Sequence, residues 1–268
     1  MKRTTLLFGG LLALAGAGVL ACFVVLHDWS DARGYAPGEV GMLPTTLIGA
    51  AIERTPGEIQ LCCEDSLTLD SDGETMTFRL TAGQPKVNGS LRAEVRSLAS
   101  RIGQRYRYHG EIRAADGWEF TPYPTIAMQW HGTKDVWFLE KGRKPPLVIH
   151  AIDREWVVSV NADPQLLTPF KSATNHRVIA RFSITPGVWE SLAFDVHWST
   201  GTDGRITIWR NGERIARDEG PNCFNDVIGP YFKFGNYQPR NLSHATAASR
   251  VLSFRDVGWE KVETPNDN

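Results

Sequence analysis

The sequence predicts an all-β fold, two antiparallel sheets packed face to face, and three observations carry that prediction. From Glu58 to about residue 262 the chain is a succession of short segments in which apolar and polar residues alternate, the period of a half-buried strand. Turn-forming runs separate them: NGS at 88–90, AADG at 114–117, TGTDG at 200–204 and RNGER at 210–214. No stretch in this range holds a helical period.

In chain order the strand candidates are SLTLD (66–70), TMTFRL (75–80), LRAEVRS (91–97), RYRYHGEIR (105–113), TIAMQW (125–130) and PLVIHAI (146–152). EWVVSV (155–160), HRVIARFSI (176–184), SLAFDVHW (191–198), RITIWR (205–210), YFKFGNYQ (231–238) and SRVLSFRDVGW (249–259) follow. LRAEVRSLASRI can be drawn as a helix, but RAEVR alternates cleanly and follows an NG turn, so a strand is expected. The unit from Gly187 to Ile215 has a Trp opening a strand, a DG turn, and a strand ending in an NG turn. It resembles a piece of concanavalin-like sandwiches, which makes the expected fold a concanavalin-like β-sandwich, or β-jelly roll. That resemblance implies fold and not chemistry. Nine Trp are more than average, and core filling is the favoured use for them over sugar platforms.

The N-terminus reads differently. Lys2 and Arg3 precede an apolar run from Leu6 to Leu26, 21 residues without a charge. As a helix it is about 31 Å long, a bilayer core. It is expected to be a membrane anchor or a cleaved signal peptide, with Ala21-Cys22 as a lipoprotein alternative; each exports the rest of the chain from the cytoplasm. The expected organisation is 1–29 signal or anchor, 30–57 tether, 58–262 β-jelly roll, and 263–268 polar tail. Export favours disulfides, so Cys223 is expected to pair with Cys62 or Cys63, Cys63 being the one taken. No CxxC pair suggests zinc. Net charge of -1 argues against nucleic acid or a polybasic membrane contact. No metal is called for, and a structural calcium has no signature in the sequence. A monomer is expected, with contact to membrane only through the N-terminal segment.

Three alternating patches carry chemistry. Period two puts Arg92, Glu94 and Arg96 on one face, opposite Leu91, Ala93 and Val95. Gln129 and His131 share a face, opposite Met128 and Trp130. Tyr231, Lys233, Gly235 and Tyr237 share a third. Taken singly, each has a plain explanation: a solvated Arg-Glu strand pair, a structural histidine, an amphipathic edge strand. Together they describe one sheet face rich in cations and hydrogen-bond donors, suited to an anionic sugar polymer. No closely spaced acidic pair is present of the kind that retaining glycosidases need. The alternatives are a non-catalytic carbohydrate-binding sandwich and a glycoside hydrolase.

RAEVR, QWH and YFKFGNYQ resemble, in this order and roughly this spacing, the signature strands of the jelly-roll polysaccharide lyases, the glucuronan-lyase, alginate-lyase and heparin-lyase-like group. Trp130 within QWH, together with HGTKDVW and PPL, is closer to the glucuronan-lyase side. Phe234, where a small residue is common, departs from the pattern. The resemblance implies β-elimination on a β-1,4-linked polyuronate, glucuronan first and alginate or mannuronan second. It implies Arg92, Gln129, His131 and Tyr237 as catalytic residues. Arg92 and Gln129 would neutralise the uronate carboxylate, Tyr237 would take and return the proton, and neutral His131 would be a base or support. Lys233, Arg96, Tyr231 and Asn236 are read as substrate-binding.

Overall fold

The computed structural model describes residues 58–71, 73–135, 140, 142–168, 173–239 and 249–262. The expected leader, tether and tail at 1–57 and 263–268, with Cys22, lie outside the described residues. Among the described residues fourteen strands run in chain order, all their pairings antiparallel. The first seven are β1 (Glu58–Leu61), β2 (Leu67–Leu69), β3 (Met76–Thr81), β4 (Leu91–Ala99), β5 (Arg105–Ala114), β6 (Thr125–His131) and β7 (Leu147–Ile152). The others are β8 (Glu155–Ala162), β9 (Asn175–Ser183), β10 (Glu190–His197), β11 (Arg205–Arg210), β12 (Glu213–Glu219), β13 (Tyr231–Gln238) and β14 (Ser249–Val262). One sheet has the order β1-β4-β13-β6-β7-β8-β9 and the other β12-β11-β10-β5-β14-β3-β2. This is the expected jelly-roll sandwich. Sequence-distant strands are neighbours in both sheets, as strands crossing between layers require.

Alternation decides which side chains meet between the sheets. Phe78, Phe234 and Phe254 form one aromatic knot, with ring centroids 5.4–5.8 Å apart. Trp130 packs against Phe232, Phe194 and Tyr108 at 4.9–5.1 Å. The one hydroxyl in this second cluster is satisfied: Tyr108 Oη accepts from Trp198 Nε1 at 3.1 Å and lies 2.6 Å from Ser100 Oγ. A buried phenol without such partners would cost about 1–3 kcal/mol. Trp118, Trp130, Trp156, Trp198 and Trp259 are all buried, so the core use of tryptophan holds for them. The RNGER turn closes β11 onto β12 with Asn211 and Gly212 both at positive φ, as a two-residue hairpin demands.

The expected disulfide is not formed: Cys62, Cys63 and Cys223 are free thiols. Topology is the reason. Cys62 and Cys63 follow β1, whereas Cys223 is tied to the end of β8, its carbonyl accepting from the Asp163 amide at 3.3 Å. β8 stands five strands from β1 in the sheet. Five strand spacings are on the order of 24 Å, and a disulfide needs Cα atoms within about 7 Å.

Candidate active site

The outer face of the first sheet carries a groove of about 820 Å³. Its floor comes from the polar sides of the three patches. Register brings them together: Lys233 pairs with Arg96 on one side and Gln129 on the other, and Tyr237 pairs with Arg92. The central strand β13 is therefore flanked by RAEVR on β4 and QWH on β6.

Glu94 is the hub. It is 2% exposed, and its two oxygens are both used. Lys233 Nζ donates to Oε2 at 2.5 Å, and Gln129 Nε2 donates to Oε1 at 2.5 Å. Arg92 Nη1 lies 3.6 Å from Oε2. A second acceptor joins from the edge strand: Gln60 Oε1 takes a hydrogen bond from Lys233 Nζ at 2.9 Å and one from Arg92 Nη1 at 3.0 Å. β1 pairs Gln60 with Glu94, so edge strand and hub are in direct register. Burial lowers the Lys233 pKa from its ordinary value while the Glu94 carboxylate opposes that fall. The cluster holds Lys233 and Arg92 as two cations beside one buried carboxylate, a net positive floor under the groove.

Tyr237 lies under Arg92, whose Cζ is 4.6 Å from the ring centroid. Arg96 is stacked in the same manner on Tyr231, at 4.0 Å. Tyr231 in turn stacks on His131, with centroids 5.5 Å apart and planes 24° apart. His131 Nδ1 is 2.8 Å from the Gly132 carbonyl. A carbonyl only accepts, so Nδ1 carries the proton and Nε2 holds the lone pair in neutral imidazole. Burial pushes the His131 pKa down to about 4, with the Lys233, Arg92 and Arg96 charges adding to the fall and the Gly132 carbonyl opposing it.

β13 reaches this geometry through an irregularity. Its register against β6 shifts between Phe234 and Tyr237. Gly235 there has φ +137°, and a Cβ would lie 2.3 Å from the Ala93 carbonyl oxygen. Only glycine fits this position.

The structure gathers Arg92, Gln129, His131, Lys233, Tyr231 and Tyr237 on the groove. Arg96 stands beside them through Tyr231. Asn236 is a correction. It is fully buried on the other side of β13, and its Nδ2 donates to the Phe78 and Arg250 carbonyls of the opposite sheet. Its place between Gly235 and Tyr237 in YFKFGNYQ, two residues after Phe234, puts it on the core side with Phe232 and Phe234, so alternation alone excludes it. The reading of Lys233 also changes: its ammonium is turned toward Glu94 and Gln60, so its main contribution is charge and order in the floor. Gln60 was missed. It lies in EIQL, where no motif marks it, and only the β1–β4 pairing gives it a part.

Among the described residues, Asp135, Glu140 and Asp226 converge as metal-binding carboxylates can. Arg143 already stands among them, donating to Glu140 Oε1 at 3.1 Å and to Asp226 Oδ1 at 2.5 Å. Its guanidinium supplies the cation this cluster needs.

The histidine shift predicts a stability effect. A folded pKa of about 4, below the ordinary 6.5, means that the unfolded chain binds the proton first. The contribution is full above about pH 6.5 and is lost as pH falls toward 4. Asp226, pushed up to about 7 by burial, acts with the opposite sign over this range. A difference measurement is therefore required. Urea unfolding of wild type and His131→Gln is expected to show wild type losing ground to the variant as pH drops from 6.5 to 4. Parallel curves would show that His131 is not buried in its neutral form.

Comparison with known proteins bears on the family and the fold. The polysaccharide lyase family model matches residues 60–256. Among solved structures, the endo-β-1,4-glucuronan lyase of the fungus Trichoderma reesei superposes with a TM-score of 0.63 at 15% identity, over 78% of this chain and 89% of that one. Alginate lyase AlgAT5, from polysaccharide lyase family 7, gives a TM-score of 0.56 at 13% identity, over 83% and 100%. Alginate lyase A1-II′, of that same family, gives 0.55 at 16% identity, over 78% and 95%. No curated protein is a significant sequence match to this chain. The structural likenesses show the same fold at low identity, and the family match, running from Gln60 on β1 to Asp256 on β14, assigns the chain: it belongs to the polysaccharide lyase family.

Proposed function

We propose that this lyase cleaves a β-1,4-linked polyuronate, glucuronan before mannuronan, by β-elimination. One observation carries the reading: a buried carboxylate orders Lys233, Gln129 and Arg92 in the groove floor beside the Arg92-capped Tyr237. The C5 proton of a uronate is barely acidic because the adjacent carboxylate is already negative. A site must neutralise that carboxylate so that electron density from the C5–H bond can flow onto it. Arg92 and the amide of Gln129 can do so with charge-assisted and neutral hydrogen bonds. Glu94 fixes both groups in advance, so little reorganisation is left for the reaction.

The step balances as follows. Tyr237 Oη takes the C5 proton, the C5–H electrons form the C4–C5 double bond, the C4–O bond breaks, and the proton passes to the leaving sugar oxygen. The product is a chain end carrying a 4,5-unsaturated uronate. In D-glucuronate and D-mannuronate the C5 hydrogen and the C4 oxygen lie on one side of the ring, so one phenol can serve both atoms. His131, neutral above about pH 4 with Nε2 unprotonated, supports from the other end of the patch. A polymeric substrate fits an extracytoplasmic enzyme, in keeping with the apolar run at 6–26.

The test is a panel of polyglucuronate, polymannuronate, polyguluronate and a glycosaminoglycan, followed by ultraviolet absorbance of the conjugated double bond. The expected order of rates is polyglucuronate, then polymannuronate, with polyguluronate slowest. A clear preference for polyguluronate, whose two groups lie on opposite sides, would overturn the single-phenol route.

A further inference from the structure

Strand register continues the site well beyond the three patches. Arg92 on β4, Tyr237 on β13, Ile126 on β6, His150 on β7, Val157 on β8 and Arg181 on β9 are successive cross-strand partners. All six line the groove. At about 4.8 Å per strand, His150 stands about 10 Å and Arg181 about 19 Å from Tyr237 along this row.

His150 is unusual on that floor. Its row neighbours are Ile126 and Val157, both apolar and buried. Among the described residues none offers its ring a hydrogen bond. Burial, with the charges of Arg181, His176 and Lys144, pushes its pKa down to about 4, so at neutral pH it is an uncharged imidazole with one N–H and one lone pair. The side chain is half-buried and lines the groove, so its ring nitrogens stay open to a ligand that enters there. Arg181 closes the row at the edge strand. Its ion pair with Glu155, at 2.9 Å, joins two exposed side chains. Such a pair is worth about 0–1 kcal/mol and exchanges readily for another carboxylate.

We propose that His150 and Arg181 form a distal subsite for the same anionic polysaccharide, so that the polymer lies across the strands along this row. His150 hydrogen-bonds the hydroxyls of a sugar seated on Ile126 and Val157, whose side chains meet the apolar C–H face of the ring. Arg181 receives the carboxylate of a uronate farther along, through the planar fork that suits it. The inference rests on the polyuronate reading above. It adds that productive binding needs an oligosaccharide several units long.

The experiment is a size ladder of polyglucuronate oligosaccharides with full-length wild type, His150→Ala, His150→Gln and Arg181→Ala, melting temperatures being recorded alongside. For oligomers long enough to reach it, His150→Ala is expected to raise KM about tenfold, the loss of one good hydrogen-bonding site, with kcat within about twofold. The shortest cleaved oligomers should be unaffected. His150→Gln should recover part of the loss, and serves as the readout if His150→Ala folds poorly. Arg181→Ala should act only on longer oligomers than His150→Ala does. KM changes independent of length, or none at unchanged melting temperature, would overturn the subsite. If wild type forms no double bond on any polyuronate, the polyuronate lyase reading falls by itself. The subsite is then judged by retention of the proteins in gels containing the same polymers. Retardation that weakens in His150→Ala keeps it, and equal or absent retardation removes it.

Discussion

Tyr237→Phe is expected to lower turnover of polyglucuronate by on the order of 10²–10⁴-fold or more, the range for loss of a positioned proton-transfer group. The ring remains, so its stack under Arg92 at 4.6 Å remains too. Only the hydroxyl proposed to take the C5 proton and return it to the leaving oxygen is removed. Binding of intact polymer, measured by retention in polymer-containing gels, should change little. His131→Ala should cost less, because His131 faces Tyr231 while Tyr237 lies six residues along β13. Near wild-type turnover by Tyr237→Phe, or a larger loss in His131→Ala, would move the proton to the histidine.

Glu94→Gln is expected to combine a large stability loss with a large activity loss. The substitution keeps the shape but removes the charge that balances Lys233, itself 3% exposed. Breaking a buried ion pair from one side costs about 3–5 kcal/mol. The ammonium, already lowered in pKa by burial, loses the carboxylate that opposes this shift and gives up its proton more readily. Gln129 and Arg92 lose their common anchor, so the groups assigned to the substrate carboxylate are no longer held. Urea unfolding and double-bond formation check the two effects separately. The double variant Glu94→Gln/Lys233→Met should regain stability by removing the orphan charge, yet stay inactive. If Glu94→Gln alone were as stable and active as wild type, the hub would be ornamental.

The fold was largely legible because strands write their two faces into the chain. LRAEVRS, TIAMQW and YFKFGNYQ each alternate, and their apolar halves, Ala93 and Val95, Met128 and Trp130, Phe232 and Phe234, are all buried between the sheets. Asn236 failed as a site residue when that rule was not applied to it. It sits in phase with the phenylalanines, and its amide bonds the opposite sheet. The cysteine pairing failed for another reason. Export and cysteine number carry no information on strand order, and strand order is what holds Cys223 beside Asp163, five strands from β1.

By itself the sequence determined the all-β sandwich, the three polar strand faces and the family they resemble. Those depend on local alternation and turn chemistry, which are properties of short segments. Only the tertiary structure decided what the faces do to one another. Glu94, Lys233, Gln129, Gln60 and Arg92 come from β4, β13, β6 and β1, up to 173 residues apart, and meet because of sheet order and register. The row from Tyr237 to His150 and Arg181 has the same origin. A strand's own sequence fixes which side a residue faces, but its partner across the ladder is fixed by how the whole chain packs.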